Sequence, residues 1–224
     1  MKTKKMILYY VLMFLPLAVT LFALQYLPDQ IPAHYDFNQQ VTRWGSKYEA
    51  LIFPIISMGF GGIMRIVTKF AAKQEDSGTN NEKVCITAGI LGLVLFNAMS
   101  FYYLYTSYKQ VENLSSVCVD IYQIMIGLLG LFFVVIGNIM PKVRMNSVLG
   151  LRTTWSMKNE ITWKKSQRFG GITFIVIGIA MILTCFLTKG ISCFLISMGL
   201  LLASLPIDIY YTYRVAKQQD RVEF

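Results

Sequence analysis

Few residues in this chain are of kinds that do chemistry, and their placement narrows what that chemistry can be. The single histidine, His34, lies two residues before Asp36. A lone outward His beside a carboxylate suits surface hydrogen bonding better than proton switching or metal ligation. One histidine also excludes a multi-His metal centre, and Cys85, Cys118, Cys185 and Cys193 show no CxxC or Cys/His spacing. Cys185 and Cys193 could approach one another near the end of the last hairpin, but read as buried free thiols. Asp208, in SLPIDIYY, is an ionisable group in an apolar run and so a functional candidate; a place about one turn from the run's end lets it reach interfacial water or Arg214. No GxSxG elbow, HExxH pair, P-loop or dinucleotide fingerprint is present, so the chain does not read as an enzyme and calls for no cofactor. What remains is Arg152 and Glu160, opposite charges in one short polar segment with Asn138, Asn146 and Asn159 as amide partners. They form either a hydrogen-bonded cluster that holds the segment in shape or a face for a partner.

The elements that must position these residues are apolar runs. Six stretches, at roughly 6–27, 50–70, 84–105, 121–140, 170–188 and 191–212, are each long enough to cross a bilayer whose hydrocarbon core needs about 20 helical residues. None alternates as a barrel strand does, so the expected fold is all-α, a polytopic membrane protein of six transmembrane helices. Of the 224 residues, 55% are hydrophobic and 15% charged, with mean hydropathy +0.51, and no polar stretch is long enough for a separate soluble domain. The expected organisation is a first helix and extracellular loop over 1–50, helices two and three over 51–120, and helices four to six over 121–224, with a polar motif loop at 141–169. The first run is too long for a signal peptide and lacks a cleavage site before Leu27-Pro28-Asp29, which makes it a retained helix.

Charge orients the bundle. Three basic residues precede the first run, four flank the second loop, seven lie in the fourth and three in the tail, which puts 17 of the 21 on one side and leaves Arg43, Lys47, Lys109 and Lys189 on the other. The positive-inside rule then gives an N-in, C-in topology. The net charge of +9 is accounted for by anionic membrane lipid rather than by direct nucleic-acid contact.

Among the loops, the first (roughly 28–49) holds Pro28 and Pro32, which favour extended backbone, and Trp44 and Tyr48 just before a span. It reads equally as an aromatic belt with a turn or as a ligand contact. The second (roughly 71–83) is a mixed-charge, solvated connector. Tyr102, Tyr103, Tyr105 and Tyr108 make an aromatic belt at the outer end of the third span. In the fourth loop Ser156 reads as a helix cap opening a basic amphipathic stretch, with Met157 and Ile161 one turn apart among Lys158, Lys164, Lys165 and Arg168. That stretch is expected to lie along the inner headgroups before turning into the fifth span.

The run Gly137-Asn138, Asn146, Gly150-Leu151-Arg152-Thr153, Trp155, Asn159-Glu160, Trp163 and Arg168 resembles the signature of the SdpI family, Gram-positive bacterial membrane proteins that include immunity factors against a secreted killing peptide. Upstream, Leu27-Pro28, Ile31-Pro32, His34, Asn38 and Trp44-Gly45-Ser46-Lys47 look like the domain of unknown function often found before it. Thr154 departs from the pattern, standing where the family commonly has Pro. The resemblance implies protection of the membrane from a toxin peptide that dissipates the proton gradient, and in one member capture of a small winged-helix repressor at the membrane. It makes the cytoplasmic motif a partner-binding surface or a scaffold, while Pro32, His34, Asn38, Trp44 and Lys47 become candidates for toxin contact on the outer loop. A small transporter or flippase for a peptide or lipid is the rival reading, although charged residues inside the spans are sparse for an ion relay. An intramembrane lipid-modifying enzyme is a further one.

Overall fold

In lipid a backbone N–H or C=O finds no water, so each apolar run satisfies its own polar groups as a helix. The computed structural model describes residues 2–75, 79–118 and 120–221, and each run is helical there. The helices are α1 (Lys2–Ala23), α2 (Ile52–Lys73), α3 (Asn80–Tyr108), α4 (Ile121–Ile139), α5 (Glu160–Leu187) and α6 (Gly190–Asp220). All six are long and apolar enough to cross a membrane. They alternate in direction. The start of α1, the facing ends of α2 and α3, the α4–α5 connection and the end of α6 gather at one end, the terminal end; the other connections gather at the far end. Residues 76–78, in the middle of the solvated connector, lie outside the described residues.

Two boundaries differ from the hydropathy reading. Helix α5 starts at Glu160, about ten residues before the apolar run, and α6 continues to Asp220. The amphipathic stretch is therefore not a separate interfacial segment. Asn159 caps α5 by accepting a hydrogen bond from the Thr162 amide at 2.8 Å, and residues of high helix propensity carry the helix straight on into the apolar part. Ser156 does not open a helix; its hydroxyl accepts from the Thr153 amide in a turn.

The first loop is more regular than its prolines suggest. It forms an antiparallel hairpin of β1 (Gln30–Tyr35) and β2 (Val41–Ser46), in which Ile31 faces Gly45 and Pro32 faces Trp44, with the register slipping around His34. Ile31 is buried against Leu27, Ala50 and Leu104, which seats the hairpin on the bundle.

The tightest packing is between α4 and α5. A Cβ on Gly130 would lie 2.7 Å from the Gly178 carbonyl oxygen and one on Gly178 2.5 Å from that of Gly130; Gly137 and Gly171 repeat the relation at 2.5 and 2.6 Å. Both helices thus place glycine at a seven-residue interval so that their backbones touch at two levels, the small-residue packing that replaces a hydrophobic driving force in lipid. In the other half of the bundle the Tyr9 hydroxyl donates to the Gly61 carbonyl at 2.7 Å, and Asn97 donates to the Leu12 carbonyl at 2.8 Å. Asp208 is fully buried between α5 and α6 and accepts from the Thr173 hydroxyl at 2.9 Å, so it reaches neither interfacial water nor Arg214.

Candidate functional site

The terminal end is built on the α4–α5 connection, residues 140–159, which has little regular structure and takes its shape from side chains bonded to its backbone. Trp163, on the first turns of α5, is buried with Val84 and Val143, and its indole N–H donates to the Val143 carbonyl at 2.8 Å. Asn146 closes the next turn, donating to the Arg144 carbonyl and accepting from the Val148 and Leu149 amides at 2.8 and 2.7 Å. Gly150 takes φ +90, and any side chain there would meet the Gln167 amide. The reason is that Gln167, itself buried, reads both backbone groups of Leu151, accepting from its N–H at 2.9 Å and donating to its carbonyl at 3.0 Å.

Further along, Thr153 and Ser156 bond each other reciprocally, and the Thr153 hydroxyl donates to the Thr212 hydroxyl on α6 at 2.9 Å. Trp155 is partly exposed and rests edge-on against Tyr213, ring centroids 5.5 Å apart. Lys158 pairs with Asp220. From the other half of the bundle, Asn81 accepts from the Arg144 amide at 2.9 Å and Gln74 accepts from the Ser147 amide at 2.6 Å. The α2–α3 end is thereby fastened to the same segment. Between them opens a cavity of about 540 Å³ whose lining includes Lys142, Arg144, Glu160 and Trp163.

Asn146, Gly150, Thr153, Asn159 and Trp163 thus share one ordered segment. Of the two readings of Arg152 and Glu160, the bonded cluster is not seen: the two do not pair. Glu160 pairs along its own helix with Lys164 at 3.2 Å, and Arg152 is exposed. Asn138 points outward from α4, and Arg168 lies on a lateral face of α5. Gln167, Asn81 and Gln74 escaped the sequence reading because a glutamine in a helix or an asparagine at its start announces no partner 16, 63 or 73 residues away.

At the far end the hairpin is fixed differently. Lys47 pairs with Asp29 at 2.8 Å, and Arg43 grips Glu49 through two bonds of 3.0 and 2.7 Å. His34 is exposed, its Nδ1 2.5 Å from the Thr42 hydroxyl, while Asn38 sits exposed at the hairpin tip and Pro32 is buried beneath Trp44's strand. Backbone bonds Val41 to Glu112 and Leu114 to Gln39, both 2.9 Å, extend the pairing into the α3–α4 connection. Asp120 then ties the far-end connections together. It caps α4 through the Tyr122 amide at 2.7 Å, accepts from the Gln39 side chain at 3.1 Å and accepts from the Gly190 amide at 2.5 Å. Its position just before an apolar run was a legible cap signal; its reach to Gln39 and Gly190 was not. Nearby, the sulfurs of Cys185 and Cys193 lie 3.8 Å apart as free thiols.

An ordered, cation-bearing segment between two glycine-locked helices, opposite a small hairpin, can be compared with known proteins. Residues 142–210 match the SdpI/YfhL protein family. The chain thus has a stretch similar to the SdpI/YfhL family. It begins inside the terminal-end segment and ends in α6, so Asn146, Gly150, Trp163 and Gln167 all fall within it. Residues 11–58 match a domain of unknown function, DUF1648, which takes in the hairpin and its charged rim. Across 216 residues, 96% of this chain and 97% of the relative, the sequence is 25% identical to the immunity protein SdpI of Bacillus subtilis (strain 168). No solved structure matches. With its six membrane-length helices, the chain is a multi-pass membrane protein.

Proposed function

We propose that this chain is an immunity protein that protects its own membrane from a secreted antimicrobial peptide, with both termini cytoplasmic and the hairpin outside. The observation that carries this reading is the similarity to the SdpI immunity protein along nearly the whole of both chains. The sorting of basic residues toward the terminal end supports the orientation.

A peptide arriving from outside meets the hairpin first, with Trp44 and His34 at its edge and Tyr108 exposed at the end of α3. Under the hairpin lies a cavity of about 320 Å³ lined by Tyr35, Phe53, Tyr102, Tyr103, Tyr122 and Met125. Such a wall suits an apolar or aromatic peptide side chain, because aromatic residues give large contact area at small entropic cost. Burial pushes the Tyr35 hydroxyl up to about 12, which keeps it a neutral donor to the Val111 carbonyl at 2.7 Å. On the opposite face, Arg152 and Trp155 stand exposed on a segment whose backbone is already fixed. That is the surface on which a small winged-helix repressor would dock without an ordering cost.

The test is survival of a peptide-sensitive bacterium lacking its own immunity gene, expressing this chain and challenged with a secreted peptide that collapses the proton gradient. Protection that persists when the gradient is clamped, and falls for Tyr103→Ala at unchanged membrane abundance, supports protection by binding. Normal membrane abundance with no gain in survival contradicts the reading, and protection that disappears on clamping favours transport.

A further inference from the structure

On the lateral face of the terminal end, α5 and α6 part to leave a cleft of about 500 Å³ lined by Lys165, Arg168, Phe169, Ile172, Tyr211 and Arg214. Three of these are cations. All three are exposed, and none has an acidic partner among the described residues, in contrast to Lys158 and Lys164 close by, which are paired. The floor of the cleft is a stacked ring pair, Phe169 and Tyr211, 3.8 Å apart at 5°.

Below the cations the surface changes character along one line. Ile172, Val176, Ile179 and Leu183 follow one another at steps of four, three and four on α5, all exposed, with Ile207 exposed on α6 beside them. Helical spacing keeps them on one face. From Ile172 to Leu183 the stripe rises roughly 17 Å at 1.5 Å per residue, about half of a hydrocarbon core roughly 30 Å thick. Unpaired cations therefore crown an apolar stripe about one leaflet deep.

We propose that this cleft is a binding site for one anionic phospholipid, its phosphate held by Lys165, Arg168 and Arg214 and an acyl chain laid along the α5 stripe. The two halves of the feature choose this occupant together. A soluble anion leaves the stripe uncovered, and a zwitterionic lipid brings its own cation to a place that already has three. Guanidinium groups also match phosphate oxygens in fork geometry, which a loose surface of lysines would not. The bound lipid joins α5 to α6 at the level of Thr173 and Asp208, just inside the cleft. This inference is independent of the immunity reading, since it needs only that the terminal end lie at a membrane surface.

Native mass spectrometry of the detergent-purified full chain, titrated with phosphatidylglycerol and phosphatidylcholine of identical acyl chains, tests it. The expected result is retention of phosphatidylglycerol over phosphatidylcholine by at least about tenfold, the scale of several cations acting near one headgroup. The double variant Arg168→Ala/Arg214→Ala should reduce that preference to less than about twofold, while Arg168→Lys/Arg214→Lys, which keeps the charge and loses the fork, retains only part of it and Arg144→Ala, at the other cavity, leaves it unchanged. Equal retention of the two lipids by the unaltered chain overturns the proposal whatever the variants do. So does a preference that survives the double alanine change. Displacement of the lipid by inorganic phosphate would show a site for the anion alone and overturn it as well.

Discussion

The two ends of this molecule solve the same problem, holding a connection still at the membrane edge, with different chemistry. At the terminal end neutral side chains do it: Trp163, Asn146, Gln167 and Asn81 each bond a backbone group of one irregular segment, and all four are buried. At the far end a backbone ladder does it, trimmed with exposed ion pairs and anchored by one carboxylate, Asp120. A ladder tolerates loss of any one side chain because its bonds are main-chain. A segment shaped by side chains does not, since each deletion leaves a buried N–H or C=O bare. The terminal end is therefore the end whose shape is written into particular residues.

The sharpest contrast is between two tryptophans. Trp163→Ala removes a buried ring and strands the Val143 carbonyl, and should cost about 3–5 kcal/mol, read as a large fall in melting temperature of the detergent-purified protein. Trp44→Ala, on the exposed strand, should cost less than about 1 kcal/mol. Equal losses would erase the distinction between the ends. Next in size is Gln167→Ala, which leaves the Leu151 N–H without a partner and its carbonyl with the Ser156 hydroxyl alone, at a cost of about 1–3 kcal/mol. It should also open the Arg152 peptide bond to trypsin while leaving the hairpin uncut. Asp120→Ala should cost about 1–3 kcal/mol, since Gln39, Tyr122 and Gly190 lose their common acceptor, and the loss should appear as faster hydrogen exchange at the Tyr122 and Gly190 amides and in the hairpin, with the terminal end unchanged. Smallest is the rim. The hydrogen bond from Lys47 holds the Asp29 carboxyl below its ordinary 3.8, so the pair contributes above that pH and its contribution is lost as pH falls further. The gap in melting temperature between the unaltered chain and Lys47→Ala should be slight at neutral pH and vanish in acid.

Much of this was legible in the sequence, and what was not has physical causes. Hydropathy located all six spans because lipid demands long apolar runs. It misplaced the start of α5 because Glu160 to Arg168 is polar yet strongly helix-forming, and a helix that leaves the membrane carries no hydropathy signal. The hairpin was hidden by Pro28, Pro32 and the slipped register at His34, which break the alternation a strand shows. Gly150 and Trp163 stood out through the resemblance of the fourth loop to a family signature, and Asn146 and Asn159 also as amide partners. The Arg152–Glu160 bond, one of two readings of those charges, is absent because opposite charge in one segment says nothing of direction: Glu160 sits on a helix with Lys164 one turn on, while Arg152 lies before it. The Gly130–Gly178 and Gly137–Gly171 contacts depend on how two helices meet, which neither helix states alone.

The central claim is that these two ends face opposite compartments, the hairpin toward the incoming peptide and the ordered segment toward the cell interior. Sided labelling tests it directly. In a chain whose four native cysteines are replaced by serine, Asn38→Cys and Thr154→Cys each place one thiol on an exposed residue, one at each end. In intact cells a membrane-impermeant maleimide should modify Cys at position 38 and spare the one at 154 until the membrane is opened; modification of position 154 in intact cells, with position 38 protected, would contradict the account.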